Sequence, residues 1–281
     1  MVGPRRRIFR NMAQKFIEMA GLTDVGSVRQ YNEDSIAIDP ENAAMVVADG
    51  MGGHRAGEVA SRIATEVIFN EIKAYIPEFG NAASQLSPRL AIEQSIKRAN
   101  KSVYEAAQAN AAYQGMGTTV AVAVFYDNAV ALGHIGDSRI YRLRGRALKL
   151  LTRDDSLLRD QVELGIIAAA DASESHNRSL VTRALGIEQD ISPHIHEVQA
   201  LPGDIFLLCS DGLNDLVDDS DIELIVQSLK SNLPLAAHHL VQTAKDNGGY
   251  DNVSVIIVRV LKPFPAASQQ RWVTRLFGWL K

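Results

Sequence analysis

The chain has 281 residues, 46% of them apolar and 22% charged, with a single cysteine. This composition excludes a disordered, collagen-like or disulfide-stapled chain and leaves one large domain or two small ones in a reducing compartment. The net charge of −4 hides an asymmetry: residues 1–15 hold five bases and no acid, residues 262–281 hold four bases and no acid, and the body between holds twenty bases against thirty-three acids. An acidic body argues against nucleic acid as partner and suits a protein that gathers carboxylates around a cation.

At the start of the chain, Arg5-Arg6-Arg7-Ile8-Phe9-Arg10 with Phe16 and Ile17 reads as a short basic amphipathic helix, and translation could begin at Met1 or Met12. Glu18 interrupts the apolar stretch, so no signal peptide is expected. Ala44–Ala48 is a short apolar strand. From Gly57 to Ile76, apolar residues recur at the helix period, and a second helix opens with Ser87 as cap and Pro88 in its first turn. Strands Thr118–Tyr126 and Ala129–His134 flank the turn dipeptide Asp127-Asn128, and Ile140–Leu143 and Ala147–Leu151 flank Gly145. A helix over Ser156–Leu164 ends at Gly165. Ile205–Cys209 and Val253–Val260 read as strands buried on both faces. Between them lie helices Ser220–Leu229, with a Ser220/Glu223 capping box, and Leu235–Ala244. No run of eighteen apolar residues exists, so no membrane span is predicted.

Hairpins clustered with paired helices indicate an α+β domain. The expected division is a basic extension over 1–19, one domain over 20–261, and a basic aromatic tail over 262–281. That tail holds both tryptophans, Trp272 and Trp279, beside cations, as in segments that dock on a membrane surface or a partner.

The aspartates fall where strands end. Ala44–Ala48 runs into Asp49-Gly50, Ala129–Ile135 into Gly136-Asp137, and Ile205–Cys209 into Ser210-Asp211-Gly212, while Asp251 opens Val253–Val260. A lone Asp-Gly at a strand end is simply a turn. Four acids brought to one sheet rim repel one another unless cations sit among them, and oxygen-only ligands select Mg²⁺ or Mn²⁺. The glycines leave a backbone carbonyl, such as that of Gly50, free to reach a metal.

These residues carry a resemblance. Arg29-Gln30-Tyr31-Asn32-Glu33-Asp34, Asp49-Gly50-Met51-Gly52-Gly53-His54, Gly117-Thr118-Thr119, Gly136-Asp137-Ser138-Arg139, Thr182-Arg183-Ala184-Leu185-Gly186, Ser210-Asp211-Gly212 and Asp251-Asn252 run in one order across residues 21–260. In that order the chain resembles the metal-dependent protein phosphatase family, protein phosphatase 2C, in its bacterial form. The resemblance implies a four-layer αββα sandwich, two antiparallel sheets flanked by helix pairs. It implies a serine/threonine protein phosphatase with two Mn²⁺ or Mg²⁺ ions and a bridging hydroxide. Asp49 would bridge the ions, the Gly50 carbonyl would bind one of them, Asp211 and Asp251 would complete a shell, and Asp137 with Asp211 would hold a third, weaker ion. Glu33 and Asp34 would orient waters, Arg29 would bind phosphate, and His54 would protonate the leaving group.

The implied partners are phosphorylated proteins and an opposing serine/threonine kinase, for a monomer in the cytoplasm or at the inner membrane face. A scaffold that keeps the fold without turnover is the rival reading, disfavoured by the retained acids. The chain departs from the family where relatives often carry a histidine beside a mobile flap: it has Asp154-Asp155 instead. Cys209 lacks an arginine six residues on, which excludes a cysteine-phosphatase loop, and His194 and His196 read as a solvated strand edge.

Overall fold

The computed structural model describes residues 16–53, 55–75, 87–168 and 180–264. Strands β1 (Ile17–Asp24), β7 (Arg139–Arg144), β8 (Ala147–Leu150), β10 (Ile205–Cys209) and β11 (Val253–Val260) form one antiparallel sheet in the order β1-β11-β10-β7-β8. A second runs β2 (Asp34–Asp39), β3 (Ala44–Met51), β5 (Val120–Tyr126), β6 (Ala129–Ile135), β9 (His194–Gln199), with the short β4 (Gly117–Thr118) on the far end of β3.

The alternation of side chains explains the layers. In β3, Met45 and Val47 point between the sheets toward Phe206, Leu208 and Ile256, while Ala44 and Val46 point outward. The outward pair meets α1 (Ala56–Tyr75) and α2 (Pro88–Ala109) through Ala60, Ala64, Ile68, Ile92 and Ile96. In β11, Ile256 and Val258 fill the space between sheets, whereas Val255 and Ile257 pack under α5 (Asp219–Ser228) and α6 (Leu233–Asp246). Both faces of each sheet are covered, which is why these strands read as continuous apolar runs. The four-layer αββα arrangement expected from the sequence is the one observed.

Several local expectations hold. Ser87 Oγ accepts the Leu90 amide, Ser156 caps the short helix α3 (Leu157–Glu163), and Gly165 leaves it at φ +71. Asp127 and Asn128 both take positive φ, the conformation of a two-residue hairpin turn.

Others need correction. β3 continues through Asp49, Gly50 and Met51, because β4 pairs with Gly50 and Met51, so Asp49 lies inside a strand. The Ser220/Glu223 capping box does not form: Asp218 is the cap residue, and Glu223 instead accepts the Leu148 amide at 2.8 Å. Asn232 caps α6, which opens at Leu233, two residues ahead of the expected start. Ile17 lies in β1 opposite Val260 and not in a helix, and Phe264 packs on Phe16 and Phe125. The core therefore extends slightly past 20–261 on both sides. Residues 1–15 and 265–281, which hold most of the basic segments, lie outside the described residues.

Candidate metal centre

The predicted acids converge at the seam between the sheets. Asp34 and Asp49 are Cα partners in the β2–β3 ladder. Asp211 opens the short helix α4 (Asp211–Asn214) directly after β10, and Asp251 precedes β11, which pairs with β10. Asp137 lies in the turn between β6 and β7. Asp49 stands within carboxyl–carboxyl hydrogen-bonding reach of both Asp34 and Asp211, and Asp137 adds its charge to both Asp49 and Asp211.

Burial pushes the carboxyls of Asp34, Asp49, Asp137 and Asp211 up, and neighbouring acids add to it. Asp49 and Asp211 are held well above the usual carboxylate range. Asp34 is pushed up to about 6, against the hydrogen bonds of Ser254 and Ser210, and Asp137 to about 7, with Asp154 contributing. Such a cluster cannot ionise together without a countercharge. The buried Oδ1 atoms of Asp34 and Asp211 accept no hydrogen bond from any donor. Unpartnered, all-oxygen, mutually repelling acids are what a hard divalent cation neutralises, so the residues fit such an ion. Among the described residues no three acidic, imidazole or thiol groups already surround one point in ligating geometry, so the side chains are neighbours that must turn to share an ion.

The backbone of Asp49 is held by the threonines of the Gly117-Thr118-Thr119 segment. Thr118 Oγ1 and the Thr119 amide donate to the Asp49 carbonyl at 2.8 and 2.9 Å, and the Asp49 amide donates to Thr119 Oγ1 at 3.1 Å. Thr119 Oγ1 also lies 2.7 Å from Ser138 Oγ, which ties the Asp49 strand to the Asp137 turn. Gly50 is a glycine for lack of room: a Cβ there would lie 2.1 Å from the Gly57 carbonyl oxygen at the start of α1.

The predicted phosphate-binding Arg29 is exposed on the loop between β1 and β2, with its Nη2 2.7 Å from Asp251 Oδ2. Glu33 is half-buried beside it, its carboxyl raised by burial and by Asp251 against the pull of Arg29. His54 lies outside the described residues. Its neighbour Arg55 stacks its guanidinium 4.6 Å from the centre of the Tyr31 ring and pairs with Glu58.

Asp154 and Asp155 have distinct partners. Asp154 grips Arg139 with both oxygens, at 2.6 Å to Nη2. Asp155 is buried and meets the Gly136 amide, His194 Nε2 at 3.0 Å and Arg183 at 3.5 Å. His194 is thereby joined to the Asp137 turn, a contact that the reading of β9 as a solvated edge missed. Cys209 is buried and its thiol is pushed up to about 12 by that burial, as suits an inert core residue. Sequence reasoning also passed over the hydroxyls of Thr23 and Ser254, whose only cue was a polar residue in an apolar strand, and gave Ser210, quoted only as part of its motif, no role.

Comparison with known proteins agrees with this geometry. The family model described as Protein phosphatase 2C matches residues 26–242. The serine/threonine phosphatase Stp of Listeria monocytogenes is 34% identical over 239 residues, 84% of this chain and 93% of that protein. Protein phosphatase PhpP of Streptococcus pneumoniae is 35% identical over 248 residues, covering 86% and 97%. The crystal structure of the Mycobacterium tuberculosis serine/threonine phosphatase PstP superposes with a TM-score of 0.79 at 32% identity, over 88% of this chain and 99% of that one. A structure of the PstP catalytic domain in complex with two manganese ions superposes with a TM-score of 0.77, also at 32% identity, over 88% and 99%. With the family model matched over residues 26–242 and relatives 34–35% identical over more than four-fifths of its length, the chain belongs to the protein phosphatase 2C family.

Proposed function

We propose that this chain is a metal-dependent serine/threonine protein phosphatase that hydrolyses phosphoserine and phosphothreonine in proteins and opposes a serine/threonine kinase. The observation that carries the reading is the buried cluster of Asp34, Asp49, Asp137 and Asp211, with unpartnered oxygens on Asp34 and Asp211. Asp49, the Gly50 carbonyl, Asp211 and Asp251 would hold two Mn²⁺ or Mg²⁺ ions, and Asp137 with Asp211 a third. Oxygen ligands alone do not separate the two metals.

Phosphate monoesters resist water so strongly that catalysis must supply on the order of 20 kcal/mol or more. Bound divalent cations acidify water and draw charge from the phosphoryl oxygens. The protein's own groups do the rest. Arg29, mounted at the open side of the cluster, offers a planar fork to two phosphoryl oxygens and fixes their direction. Glu33 and Asp34 accept hydrogen bonds from water and aim its lone pair at phosphorus. Asp34 is itself oriented by the Ser210 hydroxyl at 2.8 Å. The departing serine or threonine alkoxide needs a proton, and His54 is proposed to deliver it.

The basic segments are proposed to dock the enzyme on a partner or on the inner membrane face. Ile17 pairs with Val260 and Asp24 with Val253, so both segments leave the sheet at the end remote from the acids. No helix among the described residues is long and apolar enough to cross a membrane.

The test is hydrolysis of a phosphothreonine peptide with Mn²⁺, with Mg²⁺ and with chelator, for wild type and Asp211→Asn. Metal-dependent turnover abolished by the substitution is expected. Metal binding without turnover on several phosphopeptides would favour a scaffold, and no metal binding would overturn the site.

A further inference from the structure

Arg29 sits on an irregular loop, residues 25–33, that carries no ladder hydrogen bonds of its own. An exposed arginine on such a loop loses much conformational freedom when it engages an anion, so its usefulness depends on what holds the loop. Three of the hydrogen bonds that hold it come from one side chain, beside the Ser61 hydroxyl and Gly50 amide that donate to the Glu33 carbonyl at 2.6 and 3.1 Å and the Asn32–Thr23 side-chain bond at 2.8 Å. Asn252 is 4% exposed and lies immediately before β11, in the other sheet from β2. Its Nδ2 donates to the carbonyls of Val25 and Tyr31, each at 3.0 Å, on either side of Arg29. Its Oδ1 accepts the Glu33 amide at 2.7 Å. Three of the four hydrogen bonds an amide can make are thus spent on the two ends of one loop, with the donor and acceptor ends unambiguously assigned by their partners. The Asn252 backbone amide meanwhile donates to Asp251 Oδ1 at 2.8 Å, and Asp251 is the carboxylate that Arg29 touches.

Neither aspartate nor alanine serves here. Aspartate would keep the acceptor for Glu33 and set a charged oxygen against two carbonyls. Alanine would leave all three loop groups without partners. Apart from Asn252, the described loop meets β11's approach only through the Ser27 amide, which donates to the Gly249 carbonyl at 2.8 Å, the Asp251 pairing of Arg29 and the tight packing of Gly26.

We infer that Asn252 is a positioning residue for substrate binding: its amide clamps the 25–33 loop so that Arg29 faces the phosphoryl group from a fixed point. The inference rests on the phosphatase reading above and adds to it a residue that touches neither metal nor substrate.

The experiment compares wild type, Asn252→Ala and Asn252→Asp, each with and without Arg29→Ala, on a phosphothreonine peptide with saturating Mn²⁺. Hydrogen exchange of residues 25–33 is followed in parallel. Each Asn252 variant is expected to raise KM about tenfold with kcat within about threefold of wild type. In the Arg29→Ala background the same change should alter KM less than about twofold, because a residue that acts through Arg29 has nothing left to position. Exchange across 25–33 should rise while that of β10 stays as in wild type. Should the alanine variant fail to fold, the isosteric aspartate variant decides. Effects of Asn252 and Arg29 that multiply independently, a loss confined to kcat, or unchanged exchange in the loop overturns the inference while leaving the phosphatase reading intact. A folded wild type without metal-dependent hydrolysis overturns both.

Discussion

The Ser210 hydroxyl donates to the Asp34 carboxylate at 2.8 Å and so joins the end of β10 in one sheet to the start of β2 in the other. The bond is one link of a polar chain that crosses the seam beneath the acids. Ser210 Oγ accepts the Ser254 amide at 3.0 Å, Ser254 Oγ meets Thr23 Oγ1 at 2.8 Å, and Asn32 Nδ2 donates to the same Thr23 oxygen at 2.8 Å. A sandwich of two apolar sheets has no natural place for carboxylates. These hydroxyls create one by satisfying, inside the seam, what water would otherwise satisfy.

Removing one link should therefore cost stability. Ser210→Ala is expected to lower the unfolding free energy by about 1–3 kcal/mol, since it strips a donor from a buried carboxylate and an acceptor from a buried amide. Ser102→Ala on the exposed side of α2, where the hydroxyl returns to its own helix at Arg98, should cost less than about 0.5 kcal/mol. Urea unfolding of both variants makes the comparison.

Neutralising an acid of the cluster should trade metal binding for stability. In chelator, Asp49→Asn is expected to melt at or above the wild-type temperature, because burial and the charges of Asp34 and Asp211 already disfavour ionised Asp49. Wild type should gain about 3 kcal/mol from Mn²⁺ at a hundredfold excess over its dissociation constant, and the variant little or none. Calorimetry with and without Mn²⁺ reads both effects, and an unchanged Mn²⁺ increment in the variant would remove Asp49 from the ligand set.

His134 should make the fold acid-sensitive. It is buried against His194, ring centres 4.8 Å apart, and burial pushes its pKa down to about 4, aided by His194 and His196 and opposed by the Arg153 carbonyl. The unfolded chain then binds the proton first, so stability is full above pH 6.5 and declines as pH falls toward about 4. Relative to His134→Gln, wild type should lose on the order of 2–3 kcal/mol across that window. Denaturant unfolding at pH 7, 5.5 and 4.5 tests the slope, and parallel curves for the two proteins would contradict it.

The close approach of α1 to the Asp49 strand should tolerate no added carbon. A Cβ on Gly57 would lie 2.7 Å from both the carbonyl carbon and oxygen of Gly50, backbone atoms that cannot rotate aside. Gly57→Ala is expected to cost about 1–3 kcal/mol and to lower the affinity for Mn²⁺ by shifting the Gly50 carbonyl. Thermal melting and metal titration together separate this from a simple loss of helix packing, which would leave the affinity unchanged.

By itself the sequence determined the features governed by a few neighbouring residues. The helix period placed α1 and α2, Ser87 and Pro88 announced the start of α2, and Asp127-Asn128 announced a turn, because periodicity, capping and positive φ act over a span of four residues or fewer. The order of the Asp-Gly segments carried the family resemblance and with it the expectation that the acids meet. Local rules failed where a distant partner outbid a near one. Glu223 leaves its capping box for the amide of Leu148, and β3 runs through Asp49 because β4 pairs with its end. β1 and β2 escaped notice because their side chains are mostly half-buried, without a clean alternation.

Only the tertiary structure decided which small polar residues matter. Asn252, Thr119, Ser138 and Ser210 stand in the segments that carry the resemblance, but nothing in the linear chain names their partners Val25, Asp49, Thr119 and Asp34, which lie between 19 and 227 residues away. A buried polar group must find a partner, but its identity follows from which strands the hydrophobic core brings together, and that is settled only when both sheets close on one another.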